Sequence, residues 1–362
     1  MAEEIMIDAV RPVRAGEELD TVRLREFLAA QLPDAGGLLE IAQFPGGFSN
    51  LTYLLRLGEH EMVLRRPPRG AKIKTAHDML REYRILSGLA RVGARAPRPL
   101  FECADESIIG APFYVMERVR GLILRGQNPA GVEFTPDVAG RVARAFVSNL
   151  AELHQLDYRT AGLDTLGRPE GYVQRQVTGW AQRYHHAKTD EIAELERAFV
   201  WLTENLPPET AAALLHNDYQ YDNIVLAEND LGIIVAVLDW EMATLGDPLM
   251  DLGTTLGYWV EANDGEIWQQ MPTAITARPG SPNRRELAHT YAQESGRDVG
   301  NLVFYYVYGL CKIGGIAQQI YCRYRQGHSR DPRFADLIDW VRACGQMAQR
   351  AIEKQRVDDL SR

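Results

Sequence analysis

The segment "LLHNDYQYDNIVLAENDLGIIVAVLDWEMATLGDP", residues 214–248, constrains the fold more than any other part of the chain. It reads as brief apolar strands, "ALLH", "NIVLA" and "GIIVAVLDW", with "END" as a hairpin turn between the last two. Asp218, Asp222, Asn223 and Asp239 crowd around these runs, so oxygen ligands stand against what should be buried strand. A carboxylate held there needs a cation or hydrogen-bond donors, and the surrounding fold must supply them.

Both flanks of this insert read as helix, at about 136–157, 170–187, 191–205, 283–295, 299–327 and 332–355. The earlier part differs. "EELDTVRLREFLAAQLP" is an amphipathic opening helix that stops at Pro33, and "LLEIAQF", "NLTYLLRL" and "EMVLRRP" form an antiparallel meander. A helix is expected over 76–90, and "SIIGAPFYVMERV" offers two further strands around Gly110 and Pro112. The architecture predicted is α+β: a small β-rich lobe with one helix over 1–118, a connector near 117–121, and a larger helical lobe over 119–362.

Composition removes several functional classes. A length of 362 residues suits two lobes, and a formal net charge of −9 argues against a nucleic-acid or anionic-membrane binder. Cys103, Cys311, Cys322 and Cys344 lie far apart, so neither a zinc site nor a disulfide framework is expected, and a reducing cytoplasm fits best. "MAEEIMIDAVRP" lacks a basic start followed by an apolar core, and no run approaches a membrane span, so export is not expected.

His216-Asn217-Asp218 followed by Asn223 gives the order H-x-D-x-x-x-x-N, which resembles the catalytic-loop spacing of kinase-fold phosphotransferases. Phosphoryl transfer needs these types, because Mg²⁺ takes oxygen ligands while a separate carboxylate must meet the attacking hydroxyl. Asn223 and Asp239 are therefore the candidate metal ligands and Asp218 the candidate catalytic residue. Taken singly, Asp218 and Asn223 also read as turn residues and Asp239 as a strand end. His216 reads as structural, and Asp222 as either a solvated charge or a loop-shaping acceptor.

Together with "FPGGFSNLTYLL", "MVLRRPP", "REYRIL" and "VLDWEMATLGDPLMDL", this loop resembles the aminoglycoside phosphotransferase and choline kinase group of kinase-like enzymes. The chain is similar in particular to bacterial phosphotransferases that resemble the kinase domain joined to some acyl-CoA dehydrogenases. The resemblance spans roughly residues 44–253 and implies a protein-kinase-like bilobal fold, ATP or another NTP, Mg²⁺, and a small-molecule hydroxyl acceptor.

The first lobe must then cover and grip the phosphates. Gly46 and Gly47, with Ser49 and Asn50 as further donors, form a candidate cover, although a plain hairpin turn explains the glycines equally well. Arg65 stands where kinases carry lysine, with Arg66 as the alternative register and a solvent-facing strand end as the bland reading. Glu82 falls within the apolar stripe of Met79, Tyr83, Leu86 and Leu89, and an inward carboxylate there wants Arg65. The connector backbone at Glu117 to Val119 would take the adenine edge, with Met116 near the ring or simply in the core. Asp247 reads as the cap of a helix starting near Leu249, and Asp251 as a brace for the catalytic loop or a surface charge.

Tyr172, Arg175, Trp180, Tyr184, Tyr258 and Trp259 could line an acceptor pocket, though aromatic residues at helical spacing are more often core. Arg175, Arg183, His185 and His186 lean toward an uncharged or acidic acceptor, such as the hydroxy acids or hydroxyacyl thioesters that the resemblance implies, rather than a polycation. A catalytically idle nucleotide-binding module of the same fold is the alternative reading, favoured by Arg65 and the sparse glycines. A metal-dependent hydrolase is a third, weakened by the lack of clustered histidines or paired acids.

Overall fold

The computed structural model describes residues 10–45, 50–68, 78–125, 133–329 and 331–361. Gly46, Gly47 and Ser49 lie outside the described residues. Helix α1 (Thr21–Gln31) starts where the Asp20 carboxylate accepts from the N–H groups of Val22 and Arg23. It buries Leu24 and Leu28 and sets Phe27 edge-on against Phe113, ring centroids 5.3 Å apart.

The sheet consists of β1 (Leu39–Gln43), β2 (Leu51–Leu57), β3 (His60–Arg66), β4 (Pro99–Cys103) and β5 (Phe113–Glu117), in the order β1-β2-β3-β5-β4 with antiparallel pairs throughout. The first three strands are the expected meander. The expected strand over 107–109 is instead a turn: Gly110 takes φ +80°, and the Ile109 carbonyl accepts from the Arg66 guanidinium rather than from a ladder partner. The position next to β5 belongs to β4, whose mostly half-exposed residues show little alternation. Helix α2 (Met79–Arg91), capped by Asp78 on the Arg81 N–H, packs on the β4–β5 side of the sheet and carries Glu82 inward.

Most of the remainder is helical: α3 (Pro136–Gln155), α4 (Tyr172–Ala187), α5 (Ala193–Glu204), α6 (Pro248–Tyr258), α7 (Glu266–Gln269), α8 (Arg284–Ser295), α9 (Leu302–Arg325) and α10 (Leu337–Lys354). Four short strands interrupt them, with β6 (Ala213–Leu215) paired to β9 (Thr244–Gly246) and β7 (Ile224–Leu226) paired to β8 (Ile234–Val237). Strand β9 was not apparent in the sequence.

Helices α6 and α9 cross at glycine. A Cβ on Gly309 would lie 2.1 Å from the Gly253 carbonyl oxygen, and one on Gly253 2.1 Å from that of Tyr305. No other residue allows the two backbones so close, and the crossing carries the middle of α9 beneath the strand insert. The connector is pinned similarly: Leu122 and Leu226 exchange both backbone hydrogen bonds at 2.8 Å, and a Cβ on Gly121 would sit 2.3 Å from the Leu226 carbonyl. Among the described residues, no helix is long and apolar enough to cross a membrane.

Candidate functional site

The loop between β6 and β7 is built around Asn217, a non-glycine residue at φ +66°. Asparagine tolerates this left-handed conformation better than most side chains, at a cost of about 1–2 kcal/mol that its surroundings must offset. They do so by bonding every polar atom it has. Its N–H donates to Asp251 Oδ1 at 2.8 Å, its amide nitrogen to the Met242 carbonyl at 3.1 Å, and the Tyr172 hydroxyl donates to its Oδ1 at 3.3 Å. Lys312 donates to its carbonyl oxygen.

Asp251, fully buried on α6, also accepts from the His216 N–H at 2.6 Å and from His154 Nε2 at 3.2 Å. Burial alone would raise its pKa, but the hydrogen bond from His154 first, and then the electrostatic pull of its neighbours, Lys312 among them, hold it below the ordinary carboxylate value. Asp247 caps α6 by accepting from the Leu249 N–H at 2.9 Å, and the Tyr305 hydroxyl donates to its other oxygen at 3.0 Å. His216 donates from Nε2 to the Leu238 carbonyl at 2.8 Å, which leaves Nδ1 to accept from the Asp218 N–H at 3.2 Å. The loop is thus locked onto the segment that leads from β8 to Asp239.

Asp218 Oδ2 accepts from the Asn223 amide nitrogen at 2.9 Å, Oδ1 accepts from Gln220 at 3.1 Å, and the Tyr258 hydroxyl stands near enough to stabilise the carboxylate's charge. Because its amide nitrogen is spent on Asp218, Asn223 keeps Oδ1 as the atom with which to meet a cation. Burial first, and then repulsion from Asp239, push the Asp218 pKa upward, while His216, Lys312 and Tyr258 pull it back. Asp239 itself sits at φ +65°, a second strained residue, two positions beyond the end of β8.

Across from this pair, Arg65 donates to Glu82 Oε1 at 2.7 Å and to Asp239 Oδ1 at 3.0 Å, and lies 3.6 Å from Glu241 Oε2. Arg66 points elsewhere and bonds the backbone at Pro67 and Ile109. Asn50 donates to Glu241 at 2.6 Å, and Arg81 donates to the carbonyls of Glu241 and Ala243. Residues 239–243 therefore form the seam between the sheet with α2 and the helical part. Glu117 spends its N–H on the Arg98 carbonyl and its carboxylate on the Arg98 backbone and side chain, while Val119 is half-buried in the connector.

Sequence reasoning missed Glu241, Arg81, His154 and Lys312. Glu241 and Arg81 carry no local signal, since one follows a strand and the other lies on a helix with several arginines. Lys312 did carry one, as a single charge within the apolar run "VFYYVYGLCKIGGIA". The aromatic candidates divide: Trp180, Tyr184 and Trp259 are core, Tyr172 braces Asn217, and Tyr258 stands beside Asp218. Arg175 is exposed and bonded to the carbonyls of Glu170 and Arg168.

No group of three or more histidine, cysteine or acidic side chains that could hold a metal ion occurs among the described residues. The site instead pairs one carboxylate with one amide oxygen. That donor set suits a divalent cation which takes further ligands from phosphate and water. The mutual repulsion of Asp218 and Asp239 would be relieved by such a charge.

A family model described as the phosphotransferase enzyme family matches residues 40–288. Acyl-CoA dehydrogenase family member 10 of Mus musculus is 33% identical over 322 residues, which is 88% of this chain and 30% of that protein. The chain thus spans about a third of that relative's length. A solved structure from Ralstonia eutropha, provisionally named an aminoglycoside phosphotransferase, superposes with a TM-score of 0.79 at 29% identity, over 93% of this chain and 99% of its own. Choline kinase from Cryptosporidium parvum shares the fold with a TM-score of 0.63 at 13% identity, over 94% of this chain and 99% of its own.

Proposed function

Since the chain belongs to the phosphotransferase enzyme family, whose members move phosphoryl groups onto hydroxyls, we propose that it transfers the γ-phosphoryl group of ATP to a hydroxyl of a small molecule. The observation that carries this reading is the convergence of Asp218, Asn223 and Asp239 opposite the Arg65–Glu82 pair.

In this reading residues 1–118 grip the nucleotide and 119–362 bring the acceptor. Asp218 orients the acceptor hydroxyl and takes its proton, with Asn223, Gln220 and Tyr258 fixing the carboxylate's direction. Asn223 Oδ1 and Asp239 would hold Mg²⁺, which when bound with ATP supplies charge neutralisation for the phosphates. Arg65, kept in place by buried Glu82, faces the same phosphates with a planar fork of donors. Gly46, Gly47, Ser49 and Asn50 would cover them, and the backbone at Glu117 and Val119 would meet the base. His216, Asp247 and Asp251 keep the loop rigid, so catalysis is mostly positioning and electrostatics.

The acceptor side favours an uncharged or acidic molecule. Arg183, exposed on α4, acts electrostatically on Lys312, which in turn donates to the loop that carries Asp218, and a cation on that helix suits neither a polyamine nor an aminoglycoside. A hydroxy acid or hydroxyacyl compound meets both constraints.

A screen of hydroxylated metabolites, reading ATP consumption with Mg²⁺, tests the proposal. Asp218→Asn is expected to lower kcat by about 10²–10⁴ with nucleotide binding retained. Full turnover in that variant removes the role of the carboxylate. Metal-dependent nucleotide binding with no consumption over a broad panel would instead favour an idle binding module.

A further inference from the structure

Lys312 lies in the middle of α9, 1% exposed, in a stretch whose neighbours Leu310, Cys311 and Ile313 are all buried. Its Nζ donates to the carbonyl oxygen of Asn217 and lies 3.5 Å from the Asn217 Oδ1. That carbonyl belongs to the peptide unit joining Asn217 to Asp218. The N–H end of the same unit donates to His216 Nδ1 at 3.2 Å. One peptide plane is therefore held at both ends, by Lys312 from α9 and by His216 from the loop. Its orientation sets the direction in which the Asp218 side chain leaves the backbone.

An ammonium in such a place is costly without a reason. Burial draws the Lys312 pKa down to about 8, against the opposing pull of Asp251 on α6 and Asp218 in the loop, while Arg183 on α4 adds to the lowering. A neutral side chain could fill the same volume without that cost, yet only a long donor reaches the Asn217 carbonyl from α9. The glycine crossing of α6 and α9 lies one turn before Lys312, which brings the donor within reach.

We propose that Lys312 is a positioning residue for phosphoryl transfer: it clamps the Asn217–Asp218 peptide plane so that the Asp218 carboxylate faces the acceptor hydroxyl. The inference rests on the role given above to Asp218.

Lys312→Met keeps most of the side chain's length while removing the donor, at a cost in stability for the Asn217 carbonyl left without it, so a loss of kcat in protein that still folds separates positioning from plain structural support. The expected result is a kcat about 10²-fold lower with nucleotide KM within threefold, in a protein whose Tm falls by several degrees but that is folded at the assay temperature. In Lys312→Ala, ethylamine should restore kcat saturably by at least about tenfold, as an ammonium re-enters the vacated volume, and propanol should not. Hydrogen exchange of the 214–220 loop should quicken in both variants.

A kcat within threefold of wild type in Lys312→Met overturns the inference, as does a failure of amine rescue in a folded Lys312→Ala. Unchanged loop exchange overturns it whether or not any acceptor is found. A wild-type protein that phosphorylates nothing, with loop exchange still loosened by Lys312→Met, would remove the phosphoryl-transfer reading and leave the clamp standing.

Discussion

Arg65 shows how much one side chain can be asked to do. Its guanidinium is 7% exposed and faces Glu82, 2% exposed, and the partly exposed Asp239 and Glu241. Glu82 was legible in the sequence because a carboxylate inside an apolar stripe has few alternatives to ion pairing. Glu241 was not, because nothing in "DWEM" distinguishes a cleft carboxylate from a surface one. Removing Arg65 strands Glu82 without its cation. Arg65→Met should therefore cost about 3–5 kcal/mol in urea unfolding, and adding Glu82→Met should recover most of it. Recovery of less than a third would mean that the pair contributes through packing rather than charge. Asp239 would gain freedom in both variants, so nucleotide affinity should fall in each.

At the level of elements, the sequence specified most helices and strands wherever periodicity ran long enough. It failed at β4 and β9, where exposure on the edge or a length of three residues erases alternation. The α6–α9 crossing was equally hidden, since Gly253 and Gly309 lie 56 positions apart and only their meeting gives them meaning. Gly309→Ala forces backbone against backbone, and a loss of about 1–3 kcal/mol or more is expected in thermal unfolding. Because α9 also carries Lys312, kcat should fall in the same variant. The strand–connector junction offers a pH test. Burial pushes the Glu61 carboxyl upward, but hydrogen bonds from Arg56 and Arg120 and the charge of Arg118 outweigh it and bring it down to about 2. A carboxyl with a folded pKa below its unfolded value contributes stability that is full above about pH 4.5 and is lost as pH falls toward 2. With Arg56 partly and Arg120 largely exposed, that contribution is discounted to about 1 kcal/mol. Glu61→Gln should thus cost that much at pH 7 and almost nothing below about pH 2; a cost that persists there would deny the ion pairs any part.

Over the whole molecule, the two lobes inferred from the change in residue pattern do not correspond to two separate cores. Val63, Met79, Leu86, Tyr114 and Met116, on the inner face of the sheet and on α2, belong to the same hydrophobic cluster as α3, α6 and α9. A second cluster, with α1, Phe113 and Leu55, covers the outer face of that sheet and shares its strands. The 239–243 segment adds polar ties, from Arg65 to Asp239 and from Arg81 to the carbonyls of Glu241 and Ala243. Sequence periodicity cannot reveal such sharing, because it reports which face of an element is apolar and not what covers it. Chains of this size commonly unfold in stages, domain by domain. Here the sheet cannot lose its inner cover without exposing the top of the helical core, so scanning calorimetry should show one endotherm in which sheet and helices melt together. Arg81→Ala should lower that single Tm without splitting it, since the apolar continuity remains. Two resolved transitions in the wild-type protein would mean that the shared cluster is too thin to couple the halves, and a split produced only by Arg81→Ala would assign the coupling to the polar seam instead.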